Sequence, residues 1–204
     1  MKLIFIGPQG SGKGTQAEII SEELGIPHIS TGDLFREAEG EVKGQVDLYM
    51  QSGKLVPDEL TLKILKQRIS QPDCKKGFIL DGFPRNINQV NLLKTITEID
   101  KVIEITLSDF EALKRLEGRV SCEKCKEGYN LFTEPKPKNP LHCDLCGGRL
   151  VRRDDDNEQA IKKRLEIYHK ETEPILNEYK DILIKINGEQ NIEKITQDIL
   201  KALR

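Results

Sequence analysis

Short apolar runs recur along the chain at Leu3–Ile6, Ile26–Ile29, Phe78–Leu80, Val102–Ile105 and Ile182–Ile186. Each is too short for a helix and suits a strand buried on both faces. Helix-like patterns separate them: Lys13–Leu24, Leu60–Ile69 and Phe110–Leu116, and finally Ile192–Leu203, where Ile192, Ile195, Ile199 and Leu203 share one face. Ser108, with Glu111 three residues on, predicts a capping box at the third of these helices. The alternation predicts an α/β fold of three layers with a central five-stranded parallel sheet.

Two segments interrupt the pattern. Residues Thr31–Val56 read as polar helix with no strand, and Arg119–Arg153 turns rich in Cys, Pro and Gly. Both read as small insertions, at 30–56 and 119–153, in a core made of 1–29, 57–118 and 154–204. Pro174 is expected to end or kink the helix that begins after Asp156.

Composition narrows the classes. The chain has 204 residues, 32 % of them charged, yet a formal net charge of only −2, unlike a chain built to coat nucleic acid. The run MKLIFIG is too short for a signal peptide and no segment reaches membrane-spanning length, so a cytoplasmic protein with no membrane partner is expected. In that compartment five cysteines are thiols or metal ligands, not disulfides.

The first apolar run leads straight into GPQGSGKGT, Gly7 to Thr15, and then into the first helix pattern. A strand that turns through glycines into a helix is the setting of a phosphate-binding loop. Gly7, Gly10, Gly12 and Gly14 put no side chain in the way, so consecutive N–H groups of the loop, that of Ser11 included, can wrap a polyphosphate at the positive end of the helix dipole. Lys13 brings a cation to the outer phosphates and Thr15 a hydroxyl near a metal ion. Gly14 stands between lysine and threonine, a departure from the strict Walker pattern.

Cys122-x-x-Cys125 and Cys143-x-x-Cys146 are 17 residues apart, the spacing of a four-thiolate zinc site. Four protein ligands leave no open position, so the metal is expected to be structural. Cys74 reads as an isolated thiol, and His142 borders the set without being needed.

LDGFPR, Leu80 to Arg85, follows another predicted strand. Asp81 sits at a strand's carboxyl end, where open α/β sheets bind ligands, and can hold a water of a magnesium shell. Arg85 offers a bidentate fork for phosphate, and Gln89, one helical turn on, an amide able to pair with a base edge.

These motifs, with HISTGDLFR (28–36), GKLVPDEL (53–60), EGRV (117–120), RRDDDNEQAIKKRL (152–165) and ING (186–188), resemble the adenylate kinase family from end to end. The cysteine-bearing insertion is similar to the zinc lid of long-form bacterial members. The resemblance implies a P-loop fold carrying an AMP-binding insertion and a zinc lid. It implies Mg-dependent transfer of the γ-phosphoryl group of ATP to AMP, giving two ADP, in adenine nucleotide homeostasis by a monomer with no nucleic-acid partner. By the same resemblance Thr31, Arg36, Gly82, Arg85, Gln89 and the backbone of Lys54, Leu55 and Val56 line the AMP site. Lys13, Arg85, Arg119, Arg153 and Arg164 gather the phosphates as catalytic cations, the last two also touching AMP. Gly128, Tyr129 and Gln190 join the phosphate loop and Arg119 in holding ATP.

The segment 38–44 is shorter than is common in the family, and Asn86 and Asn130 replace a threonine and a histidine often found there. Asn86 also occurs in UMP/CMP kinases, but Gln89 favours adenine. The alternatives are another monophosphate acceptor, or a P-loop ATPase whose zinc ribbon grips nucleic acid. His28 reads as core packing, His169 as surface, Lys162 and Lys163 as a solvated face, and Asp154–Asp156 as a helix N-terminal cap.

Overall fold

The computed structural model describes residues 1–153 and 156–204 and, of Glu41, the backbone only. In chain order, β1 (Lys2–Ile6) passes through the glycine loop into α1 (Lys13–Leu24), and β2 (His28–Ser30) follows. Then come α2 (Thr31–Arg36), α3 (Gly40–Gln51) and α4 (Asp58–Ile69). After these run β3 (Phe78–Asp81), α5 (Ile87–Lys94), β4 (Lys101–Thr106) and α6 (Asp109–Gly118). Three short strands, β5 (Arg119–Cys122), β6 (Gly128–Asn130) and β7 (Leu150–Val151), precede α7 (Glu158–Ile167), β8 (Leu183–Asn187) and α8 (Ile192–Ala202).

The main sheet has the order β2-β3-β1-β4-β8, and every pairing is parallel. On β1, Ile4 and Ile6 face a cluster with Leu80, Val90, Val102 and Tyr168. Leu3 and Phe5 face the opposite cluster with Ile20, Ile103 and Ile199. Both faces are covered, which is why these strands read as unbroken apolar runs instead of alternating ones. Each such side chain contributes roughly 1.5–3 kcal/mol when fully buried. The carboxyl ends of β1 and β3 lie side by side, Phe5 opposite Asp81, and their loops open on one crevice.

The stretch between β5 and β7 has its own antiparallel sheet, ordered β6-β5-β7, and its own cluster of Val120, Cys122, Tyr129, Cys143 and Leu150. Phe35, Val46 and Val56 make another small cluster beneath α2 and α3.

Local signals misled at two points. The second strand begins at His28 instead of Ile26, since Pro27 has no N–H to offer the ladder. Ser108 precedes α6 but caps nothing: its hydroxyl donates to Glu189 Oε1 at 2.8 Å, while Glu111 pairs with Lys114. The helix expected to end or kink at Pro174 does so: α7 stops at Ile167, passes through a π-turn at Tyr168–Thr172 and continues as a 3-10 segment at Glu173–Tyr179. The proline ring crowds the carbonyl four residues earlier, and that residue, Lys170, lies inside the widened turn. No helix among the described residues is long and apolar enough to cross a membrane.

Candidate active site

The loop from Gly7 to Gly12 turns the chain from β1 into α1 with Gly10 and Gly12 at positive φ, 84° and 86°. At Gly10 a Cβ would stand 2.9 Å from the Ala112 carbonyl of α6, so both conformation and space demand glycine. Ser11 is fully buried, its N–H donating to Pro8 O at 3.2 Å. The first N–H groups of α1 have no partners within the helix and present an anion-binding end. Lys13 reaches back over this loop, Nζ donating to the Pro8 carbonyl at 3.2 Å.

Gly14 sits against Asp81. A Cβ there would lie 3.4 Å from Asp81 Oδ2, so this position on α1 faces the carboxylate directly. Asp81 is buried at the end of β3 with Oδ1 unpartnered. Burial alone would raise its carboxyl, yet His28, Lys13 and Arg85 hold it below the usual carboxylate range. His28 is therefore no mere core filler: Nε2 faces Asp81 Oδ2 at 3.6 Å. Burial works against the charged imidazole, but the carboxylate lifts its pKa above the ordinary value.

Lys13 is the electrostatic centre of the site. Burial lowers its pKa from 10.5 to about 8; Asp81 opposes the fall, while Arg85, Arg119 and Arg164 add to it. Three arginines from separate elements thus act on one lysine.

Arg85 lies in the loop after β3, where no ladder fixes its backbone. Its N–H donates to Gln89 Oε1 at 2.7 Å, and its Nε to Gly82 O at 2.7 Å. Thr31 donates to the same Gly82 carbonyl at 2.9 Å, joining α2 to this loop. Gln89 is buried and donates through Nε2 to Asp58 at 2.7 Å, so both ends of its amide already have protein partners. Arg36 pairs with Asp33 at 2.6 Å. Burial would raise the Asp33 carboxyl, but Arg36, Ser30 and the charge of Arg153 lower it. The Lys54 N–H is engaged with Tyr49 O at 3.0 Å, Leu55 follows it, and Val56 is buried.

Arg119 and Arg164 converge on Asp156, each at 2.6 Å. Burial opposes this carboxylate and the two guanidiniums hold it ionised. Asp156 is thus no helix cap; that place belongs to Asn157, which accepts from Ala160 N at 2.9 Å. Asp154 and Asp155, read as part of the same cap, lie outside the described residues.

The four cysteine sulfurs of Cys122, Cys125, Cys143 and Cys146 all lie within 4.8 Å of one another, a set able to hold one metal ion. Gly128 is exposed on β6, whereas the Tyr129 side chain turns into the cysteine cluster, its hydroxyl 3.5 Å from Cys143 Sγ. Gln190 donates to Asn187 O at 3.1 Å beside the turn that follows β8.

Arg115 was missed. From α6 its guanidinium donates to Gly188 O at 2.9 Å and Gly10 O at 3.4 Å, tying the phosphate loop to the turn after β8. Its place one helical turn before Arg119 was the available signal. Lys162 and Lys163 make exposed pairs with Glu158 and Glu166, as a solvated face requires.

A family model described as Adenylate kinase matches residues 5–184. The adenylate kinase of Methanocella arvoryzae is 47 % identical over 214 residues, covering 100 % of this chain and 99 % of that protein. Those of Bacillus cytotoxicus and Archaeoglobus fulgidus are 47 % and 45 % identical, each over 98 % of this chain and 96 % of theirs. With a glycine loop, a carboxylate and converging arginines set around Lys13, the chain belongs to the adenylate kinase family.

Proposed function

We propose that the protein transfers the γ-phosphoryl group of ATP to AMP, reversibly, giving two ADP. The observation that carries this reading is the cluster of cations beside the phosphate loop: Arg85 lines one pocket with Lys13, Arg119 and Arg164 meet at Asp156, and the charges of all three act on Lys13. ATP and AMP together bring roughly six negative charges at neutral pH, since phosphate monoesters titrate near 6. One lysine is too little to hold two such anions together, and the arginines supply the rest.

In this reading the phosphate loop, from Gly10 to Thr15, and Arg119 hold the ATP phosphates, with Gly128, Tyr129 and Gln190 along the nucleoside. Thr31, Arg36, Lys54, Leu55, Val56, Gly82, Arg85 and Gln89 hold AMP, Arg153 and Arg164 completing its phosphate site. The engaged amide of Gln89 keeps one hydrogen and one lone pair for a base edge. Residues 30–56 and 119–153 act as two covers on the core of 1–29, 57–118 and 154–204, closing before transfer to exclude water. The acceptor phosphate is already an anion, so no strong general base is required. Catalysis is alignment plus neutralisation of charge on the moving group.

The buried, unpartnered Oδ1 of Asp81 fits a carboxylate that would hold the water shell of magnesium arriving with ATP, and Thr15 in the phosphate loop would add its hydroxyl to that ion. That ion supplies charge neutralisation across the phosphates. The four cysteines fit zinc, which would replace the core that so small a sheet lacks. A monomeric cytoplasmic enzyme is the matching setting.

The test is ADP formation from ATP with AMP, UMP, CMP or GMP as acceptor. AMP is expected to be used best; preference for UMP or CMP would overturn the acceptor assignment, and no transfer to any of them the reaction itself.

A further inference from the structure

The π-turn at Tyr168–Thr172 has no part in the scheme above, yet it reaches the site. Tyr168 and Thr172 line the same small pocket as Lys13, Gly82 and Arg85. Thr172 is buried and its hydroxyl donates to the Arg85 carbonyl at 2.8 Å. Arg85 is a loop residue with no strand or helix to hold it. Its N–H is taken by Gln89 of α5 and its C=O by Thr172, so side chains from two elements pin the peptide groups on either side of one Cα. On its other side the turn is moored to α6, where His169 Nε2 lies 2.8 Å from Asp109 Oδ1. Turns of this widened kind are frequent at functional sites.

We infer that Thr172 is a positioning residue for Arg85: its hydroxyl fixes the Arg85 carbonyl, and so aims the guanidinium that receives the acceptor phosphate. The inference rests on the phosphoryl-transfer reading proposed above. It extends the machinery to a residue that touches neither nucleotide. Since the turn continues α7, which carries Arg164, it also gives two of the proposed phosphate ligands a common frame.

Thr172→Val removes the hydroxyl and keeps the shape; Thr172→Ser keeps the hydroxyl. In steady-state assays with AMP and ATP varied separately, Thr172→Val is expected to raise KM for AMP or lower kcat by about tenfold, leaving KM for ATP unchanged. Thr172→Ser should stay close to the wild type. A general packing defect would instead move both KM values and would not be rescued by serine. Should the valine variant lose its cooperative melt, Thr172→Cys, with a weak donor of similar size, takes its place with the same expected direction. Unchanged kinetics in the valine or cysteine variant, an equal loss for both nucleotides, or a serine variant as impaired as the valine one overturns the inference alone. A wild type that makes no ADP from ATP and AMP overturns the inference and the proposed reaction together.

Discussion

Lys13→Met should make the ligand-free protein more stable while removing its activity. The Lys13 pKa falls from 10.5 to about 8, chiefly through burial and then through Arg85, Arg119 and Arg164, with the attraction of Asp81 already included. At ~1.4 kcal/mol per pKa unit, the cation costs the folded chain about 3 kcal/mol. Methionine fills similar space without the charge but forfeits the bond to Pro8 O, worth ~1 kcal/mol. The net gain is about 2 kcal/mol, or ~4–8 °C in melting temperature for a chain of this size.

The sign fixes the pH dependence. Below about 8 the amine is charged in both the folded and the unfolded chain, and the penalty is complete. Above 10.5 it is neutral in both, and the penalty is gone. The melting gap between variant and wild type should therefore be widest at pH 7 and close between pH 8 and 10.5. Calorimetric melts of both proteins across that range, with phosphoryl transfer assayed alongside, make the test. A variant that melts at or below the wild type at pH 7, or a gap that ignores pH, would refute the electrostatic reasoning. Transfer should drop by ~100-fold or more, as expected on removing a charge aimed at the moving group.

Arg36→Ala should weaken AMP by ~10-fold while changing ATP little, since Arg36 stands on α2 beside Thr31 and its charge is shared with Asp33. Titration calorimetry with each nucleotide checks this, and equal losses would reject the assignment. Stripping metal from the four-cysteine cluster with a chelator should lower thermal stability and loosen the small sheet, without removing a reacting group. An unchanged melting curve after verified metal loss would count against structural zinc.

Most of the frame was legible where one segment decides its own fate. The glycine loop, α1 and the strand that ends in Asp81 are set by local periodicity and by residues adjacent in sequence. What escaped notice depends on partners far away. Ser108 carries a cap signature, yet its hydroxyl is drawn to Glu189, 81 residues on. Asp156 sits before a helix and reads as its cap, but Arg119 lies 37 residues upstream and Arg164 one face further along, and together they claim it. His28 belongs to an apolar run, and only the neighbouring strand brings it against Asp81. The π-turn has no sequence period of its own, and the nearby proline was an ambiguous sign of where the helix would change.

The carboxylate of Asp156 behaves as a resident anion. While it holds Arg119 and Arg164, a stray phosphate gains little by approaching either, because a buried bond must first be surrendered. Separating a buried pair costs about 3–5 kcal/mol, so a ligand that brings several charges at once is favoured over a single anion. The pair would thus respond to a threshold of incoming charge instead of to any single anion, and a filled nucleotide site would be distinguished from a solution of loose phosphate.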